Sequence, residues 1–221
     1  MSGSRNTPYL LGPALAAAAL LALSPLRAHA GAQVEERLAP SVVAGLQRAI
    51  ADNPVPVNYT KSVGVRPWLD AMSQRLALRV PDVQSRDEFM ATVHYEAARA
   101  GLDPQLVLGV IQHESNFRKY AISSADARGY MQVMPFWTRL IGNTEHNLFH
   151  LRTNLRYGCV ILRHYLDTEN GDLYRALGRY NGSLGRPEYP NAVLGAMNRN
   201  WLYEPAATPK IGVVPASYTA R

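Results

Sequence analysis

Residues 103–135 have the sequence DPQLVLGVIQHESNFRKYAISSADARGYMQVMP, in which a helical pattern leads into a turn-rich loop. Asp103-Pro104 is typical of a helix N-cap followed by the first helical position. The face that carries Glu114 is otherwise apolar, with Val107, Val110 and Ile111 at helical spacing. The pattern therefore predicts one carboxylate on an apolar stripe, near the C-terminal end of a helix.

Such a position gives Glu114 the properties of a general acid. Burial disfavours the charged form of a carboxyl group, and the partial negative charge of a helix C-terminus acts in the same direction. Both effects raise the pKa of Glu114, and a carboxyl group that stays protonated near neutral pH can donate a proton to a leaving group. A structural, hydrogen-bonded glutamate at a helix end fits the spacing equally well.

Other catalytic patterns are incomplete in this sequence. The zinc-protease pattern that begins at His113-Glu114 needs a second histidine at position 117, which is Phe117. His146 and His150 have i,i+4 spacing, but no acidic or thiol ligand accompanies them on the same face of a helix. A G-x-S-x-G nucleophile motif is also missing. We therefore expect neither a metal nor a cofactor.

The rest of the chain predicts an all-α fold. Helical periodicity covers about 34–51, 68–80, 131–140, 152–167, 172–180 and 191–201, and no series of alternating strands is found. Ser85 and Glu88 have the spacing of a capping box, and Gly101 is suited to end the helix that this box would begin. These segments predict a helical globule with short connections.

The first thirty residues are typical of a secretory signal peptide. Arg5 precedes an Ala/Leu-rich run over 10–23, and Ala28-His29-Ala30 has the small-x-small cleavage pattern. The run is shorter than a membrane span, which needs about 20 residues. We expect cleavage after Ala30 and a periplasmic or otherwise exported protein. The remaining chain divides into an N-terminal helical extension with a linker (31–82), a catalytic domain (83–202) and a flexible tail (203–221).

Composition limits the partners of the exported chain. Without Arg5 and Arg27, the chain has 21 basic and 17 acidic residues, a net charge of +4. This charge suits a polyanionic surface but is too diffuse to predict nucleic-acid binding. The single cysteine, Cys159, excludes an intrachain disulfide, and its helical spacing from Leu155 and Leu162 indicates a packing role. No second segment is long and apolar enough to span a membrane.

Several spaced motifs resemble one known family. Glu114-Ser115-x-Phe117, Ala121-x-Ser123, Ala127-x-Gly129-Tyr130-Met131-Gln132-x-Met134-Pro135 and Tyr180-Asn181-Gly182 follow in the order found in the soluble lytic murein transglycosylases (SLT domain, glycoside hydrolase family 23). The resemblance covers about 86–200. It implies a goose-type lysozyme-like fold and peptidoglycan glycan strands as the substrate.

The resemblance also implies roles for individual residues. Glu114 matches the catalytic acid and base. Ser123 and Gln132 match residues that line the glycan site, and Met134 matches a wall position. Tyr180 matches the tyrosine that hydrogen-bonds the catalytic glutamate, with Asn181 as its neighbour.

A single carboxylate suffices if the substrate supplies the other groups. The family's chemistry implies that Glu114 protonates the leaving oxygen between N-acetylmuramic acid and N-acetylglucosamine. The N-acetyl group then stabilises C1, and Glu114 removes the C6 hydroxyl proton so that O6 closes onto C1. The product is a 1,6-anhydromuramic end.

Three alternatives remain open at this stage. Asp126 stands where the family usually has glycine, so it is either a second carboxylate of a hydrolytic muramidase or a turn residue. A peptidoglycan-binding protein without catalysis is a second alternative, and a chitin-acting enzyme is a third. Phe136 and Trp137 predict either a sugar-stacking face or core packing.

Overall fold

A computed structural model describes residues 33–51, 56, 58–62 and 64–204. Within these residues the chain forms helices and no named strand, which confirms the all-α class. The helices are α1 (Pro40–Ile50), α2 (Arg66–Leu76), α3 (Val83–Arg99), α4 (Pro104–Ser115), α5 (Phe136–Ile141), α6 (Leu151–Thr168), α7 (Leu173–Asn181) and α8 (Glu188–Ala196). A 3₁₀ turn precedes α2 at Tyr59–Lys61, and a π-helical turn, Met197–Trp201, continues α8.

The predicted signal peptide lies outside the described residues, as does most of the predicted tail. The division at residue 82 stays a prediction. No helix in the described ranges is long and apolar enough to cross a membrane.

The predicted starts of α1, α3 and α5 were wrong, each for a local reason. The first helix begins at Pro40 rather than near residue 34, because proline lacks the N–H that a helix interior requires but fits the first turn. Asp82, not Ser85, caps α3, and its carboxylate accepts a hydrogen bond from the Ser85 amide at 2.7 Å. The short helix predicted from 131 begins at Phe136, because Val133 pairs with Arg128 in an isolated antiparallel bridge.

The core is formed where α4 and α6 pack against their neighbours. α4 contacts α3, α8 and the π-helical turn, and α6 contacts α1, α3 and α7. Gly109 permits the close approach of α4 to α8, since a Cβ atom there would lie 2.9 Å from the Val193 carbonyl oxygen. This approach places the first turn of α8 beside the last turn of α4.

A buried ion pair joins α3 to α6. Arg156 donates from Nε and Nη2 to the two carboxylate oxygens of Glu96 at 2.6 and 2.7 Å. The Glu96 and Arg156 side chains are only 1% and 5% exposed. Bidentate geometry offsets part of the cost of removing both charges from water.

Candidate active site

Glu114 occupies the last turn of α4 and is 5% exposed. Burial raises the pKa of its carboxyl group to about 8, although a hydrogen bond from Tyr189 acts in the opposite direction. The prediction of a buried carboxyl group on the apolar stripe is confirmed. At neutral pH this group is mostly protonated, as proton donation requires.

Tyr189, in the first turn of α8, is the hydrogen-bond partner of Glu114. Its hydroxyl donates to Oε1 of Glu114 at 2.6 Å, and its ring is 4% exposed. The other carboxyl oxygen, Oε2, is buried and has no hydrogen-bond partner among the residues that the structure describes. Tyr189 therefore fixes one oxygen of the carboxyl group, and the second oxygen is left to carry the proton.

Tyr180 takes a different position from the one that the family pattern implied. Its hydroxyl donates to the Met131 carbonyl oxygen at 2.7 Å, and the side chain is fully buried. The expectation that Tyr180 hydrogen-bonds Glu114 was wrong, because the C-terminal end of α7 directs the phenol to the loop before α5. Tyr180 instead holds the backbone next to Gln132.

The loop between α4 and α5 is organised by the polar side chains that were predicted to bind glycan. Ser123 Oγ accepts hydrogen bonds from the amides of Ala125 and Ala127 at 3.2 and 3.0 Å. Gln132 is 2% exposed, and its Nε2 donates to the carbonyls of Ala121 and Gly129 at 3.1 and 3.0 Å. Both side chains thus shape the loop, whichever of their remaining groups meet a ligand.

Asn154 of α6 attaches this loop to the core. Its Oδ1 accepts from the Met131 amide at 2.8 Å, and its Nδ2 donates to the carbonyls of Arg128 and Leu148, both at 2.8 Å. Gly129 allows this contact, because it has φ 73° and a Cβ atom there would lie 2.5 Å from Asn154 Nδ2. No sequence pattern predicted this role of Asn154.

Asp126 has the geometry of a turn residue. Its φ is 67°, in the left-handed region that aspartate tolerates better than most side chains. Its carboxylate is 56% exposed and forms a bidentate ion pair with Arg128, with distances of 3.0 and 2.9 Å. Its hydrogen bonds go to this arginine, which supports the turn interpretation.

An N-terminal segment reaches the same region. Gln33 lies before α1 and is 3% exposed, and its Oε1 accepts a hydrogen bond from Trp137 Nε1 at 2.9 Å. The same oxygen accepts from the Met134 amide at 3.4 Å. The segment before α1 therefore contacts Met134 and Trp137, which follow Gln132 in the sequence.

Comparison with known proteins identifies a domain in the middle of the chain. Residues 91–192 match the family model of the transglycosylase SLT domain. Over these residues, which make up just under half of the chain, the protein is similar to the lytic transglycosylases. Glu114, Tyr189 and the whole loop from α4 to α5 lie inside the SLT domain, whereas α1, α2 and the π-helical turn lie outside it.

Individual relatives are similar to this chain over different lengths. The chain is 33% identical over 140 residues to a transglycosylase of Enterobacteria phage PRD1, which covers 59% of this chain and 51% of the phage protein. It is 46% identical over 48 residues to membrane-bound lytic murein transglycosylase C of Mannheimia succiniciproducens, covering 22% of this chain and 13% of the relative. The chain thus spans about half the length of the phage relative and much less of the second.

A solved structure of lytic transglycosylase Slt from Pseudomonas aeruginosa, an inactive mutant, is also similar. It matches with a TM-score of 0.42 and 18% identity, covering 76% of this chain and 35% of that chain.

The other predicted residues of the SLT domain have mixed environments. Met134 is partly buried against the core, and Asn181 is the last residue of α7. Phe136 and Trp137 are 6% and 2% exposed, so the structure supports core packing rather than a sugar-stacking face. Cys159 is buried, and burial raises the pKa of its thiol. This environment fits the predicted packing role.

His146 and His113 both contact tyrosine side chains. His146 Nδ1 shares a hydrogen bond of 2.7 Å with the Tyr157 hydroxyl. Burial lowers the pKa of His113, whose ring packs edge-on against Tyr189 with centroids 4.9 Å apart. Among the residues that the structure describes, no group of three or more His, Cys, Asp or Glu side chains could hold a metal ion.

Tyr189 is the functional candidate that the sequence analysis missed. Its spacing from Val193 and Ala196 is that of a buried helical face, and this was the available signal. The signal was hidden by Pro187 and Pro190, which led to the prediction of a loop up to residue 190. Proline is tolerated in the first turn of a helix, so α8 begins at Glu188.

Proposed function

We propose that this protein is a lytic transglycosylase that cleaves the bond between N-acetylmuramic acid and N-acetylglucosamine in peptidoglycan. The match of residues 91–192 to the transglycosylase SLT domain supports the activity, and the names of the curated relatives support murein as the substrate. The observation that carries the proposal is the state of Glu114. It is a buried carboxyl group with a raised pKa. Tyr189 holds one oxygen, and the other has no partner in the described ranges.

In the first step Glu114 acts as an acid. Its proton passes from Oε2 to the glycosidic oxygen, and the bond from C1 of N-acetylmuramic acid to that oxygen breaks. The N-acetyl carbonyl oxygen of the same sugar bonds to C1 and takes the place of a second carboxylate. Tyr189 stabilises the carboxylate that remains, because its hydroxyl donates to Oε1.

In the second step Glu114 acts as a base. The carboxylate removes the proton from the C6 hydroxyl, O6 bonds to C1, and the bond from C1 to the N-acetyl oxygen breaks. The products are a 1,6-anhydromuramic end and a free N-acetylglucosamine end. Glu114 is protonated again, and no water is consumed.

Two alternatives use the same site. A hydrolytic muramidase needs a group that activates water, and Asp126 is bound to Arg128 on an exposed turn. A peptidoglycan-binding protein without activity would not require a buried, protonated glutamate with a free oxygen. Both are weaker proposals than the transglycosylase, and one experiment separates all three.

The test is digestion of purified peptidoglycan, followed by mass measurement of the released muropeptides. A transglycosylase releases products that are one water lighter than the hydrolytic ones. Glu114→Gln should abolish release, and Glu145→Gln, an exposed glutamate in the loop before α6, should leave it unchanged. Full-weight reducing ends would establish the muramidase, and binding without release by the unmodified protein would establish the binding protein.

A further inference from the structure

Three arginines line a cavity beside the end of α4. Arg75 and Arg79 come from α2 and the turn after it, and Arg199 comes from the π-helical turn. The cavity has a volume of about 440 Å³, and its remaining walls are Asn200, Trp201 and Leu202. We name it the arginine cavity. All six lining residues lie outside the SLT domain.

The arginine cavity carries uncompensated positive charge. None of its lining residues is acidic. Among the described residues, no carboxylate oxygen lies within 4.0 Å of any of the three guanidinium groups, although several other arginines of the chain form ion pairs. The cavity between α1, α3 and α6 differs in this respect, because Glu96 and Asp167 accompany its arginines. An anionic ligand would supply the missing charge.

Two of the guanidinium groups are held in fixed orientations. Arg75 Nη1 donates to the carbonyls of Asn200 and Leu202 at 3.2 and 2.8 Å. Arg79 Nε donates to Asn116 Oδ1 at 3.1 Å, and its guanidinium carbon lies 5.6 Å from the centre of the Phe117 ring. Each group retains further N–H donors, and a fixed guanidinium loses little freedom when it binds a carboxylate.

The arginine cavity is connected to the α4 turn that carries Glu114. Gln112, two residues before Glu114, accepts hydrogen bonds from Trp201 Nε1 at 2.8 Å and from Asn200 Nδ2 at 3.1 Å. On the other side, Arg79 contacts both Asn116 and Phe117, which have φ values of 47° and 65°. Two consecutive left-handed residues without glycine need support from their surroundings. The cavity therefore borders the chain on both sides of Glu114.

We propose that the arginine cavity binds carboxylates of the peptide stem that the glycan substrate carries. This inference rests on the proposed function. Peptidoglycan stems are acidic peptides attached to the muramic sugar, whose C1 is the reacting atom. A carboxylate-binding cavity next to the helix of Glu114 recognises a substrate with its stem in place and favours it over a bare glycan strand.

Binding of the free stem tetrapeptide tests the inference without any need for catalysis. We expect the peptide to bind the unmodified protein and to bind more weakly at high salt, since exposed charges are screened. Arg199→Gln should weaken binding about tenfold, the effect of losing one charge-assisted hydrogen bond. Arg199 is suited to the test because it is exposed in the structure, as is the control Arg48→Gln on α1, which should bind normally.

Cleavage of two substrates gives the second readout. On stem-bearing strands, Arg199→Gln should lower kcat/KM about tenfold, and on strands whose stems have been removed by an amidase it should change kcat/KM less than twofold. An equal loss on both substrates, or no peptide binding by the unmodified protein, would overturn the inference. Water-retaining products with normal peptide binding would instead overturn the proposed function alone, so the two failures are distinguishable.

Discussion

Tyr189 and Glu114 are 75 residues apart in sequence and share a buried hydrogen bond of 2.6 Å. The phenol fixes one oxygen of the carboxyl group, and Oε2 has no partner within the described part of the chain. The same bond favours the charged form of Glu114, while burial favours the neutral form and has the larger effect on the pKa. Tyr189 thereby influences both the acid step and the base step of the proposed reaction.

We expect Tyr189→Phe to change the pH profile of peptidoglycan cleavage. The acid step requires protonated Glu114, so activity of the unmodified protein should fall as the pH rises through about 8. Without the hydrogen bond, the pKa of Glu114 rises further and the alkaline limb moves to higher pH. The carboxylate that the acid step forms loses the donor that stabilises it, so kcat should fall about tenfold or more.

The matched control for this variant is Tyr174→Phe. This variant also removes a hydroxyl that donates to a residue of α8, Asn191 Oδ1, at 3.0 Å. Tyr174 is exposed, however, and forms no hydrogen bond with Glu114. Its pH profile should not move. An unchanged alkaline limb in Tyr189→Phe would contradict the role assigned to this hydrogen bond.

Replacement of Glu114 by glutamine should stabilise the fold, and more so at alkaline pH. The pKa of Glu114 is about 8 in the folded protein and near 4.5 when unfolded, so its favourable contribution is complete below pH 4.5 and is lost as the pH rises to about 8. Glutamine cannot ionise and still accepts from Tyr189. The gain in unfolding free energy should reach about 2 to 4 kcal/mol at pH 8.

Urea unfolding of both proteins at pH 5 and pH 8 measures this effect. The exposed control Glu145→Gln should differ little between the two pH values. A stability gain of Glu114→Gln that is the same at both would show that Glu114 has an ordinary pKa.

Asn154→Ala should unfold the loop region at low cost to the helices. The variant removes the partners of the Met131 amide and of two carbonyls, so the unfolding free energy should fall by about 3 kcal/mol. Hydrogen exchange should increase at the Met131 amide. Asn147→Ala, which loses one exposed bond to the Phe149 amide, is the control and should cost less than about 1 kcal/mol.

Gln33→Ala tests the contact between the N-terminal segment and the site wall. Removal of Gln33 Oε1 leaves the buried indole N–H of Trp137 without its acceptor, which should cost about 1 to 3 kcal/mol of unfolding free energy. Because the same oxygen accepts from the Met134 amide, we also expect KM for glycan strands to rise severalfold. Val34→Ala, at a 61% exposed neighbour, should alter neither quantity.

Local patterns predicted the features that depend on neighbouring residues. The N-cap at Asp103 and the end of α4 at Ser115 were predicted correctly, because capping and helical periodicity act within a few residues. The prediction for α3 was less accurate, since Asp82 and Ser85 are both good caps and only the observed hydrogen bond distinguishes them. For Asp126 the sequence likewise left two alternatives, a second catalytic carboxylate and a turn residue.

Contacts between distant segments could not be predicted in this way. Gln132 and Ser123 were predicted as glycan-lining residues, and the structure adds that both hold the loop through backbone hydrogen bonds. Asn154 lies 23 residues from Met131, whose amide donates a hydrogen bond to Asn154 Oδ1. Nothing in the helical spacing of Asn154 indicates this contact. The arginine cavity likewise combines α2 with the π-helical turn, which are more than 120 residues apart.

The sequence by itself determined the helical class and the place of Glu114 on an apolar helix face, because periodicity alone sets which side of a helix is buried. Only the tertiary structure decided that Tyr189, and not Tyr180, is the partner of Glu114. That choice depends on the close approach of α4 and α8 at Gly109, where a side chain would meet the Val193 carbonyl. Such an approach follows from packing between helices, which no local sequence pattern predicts.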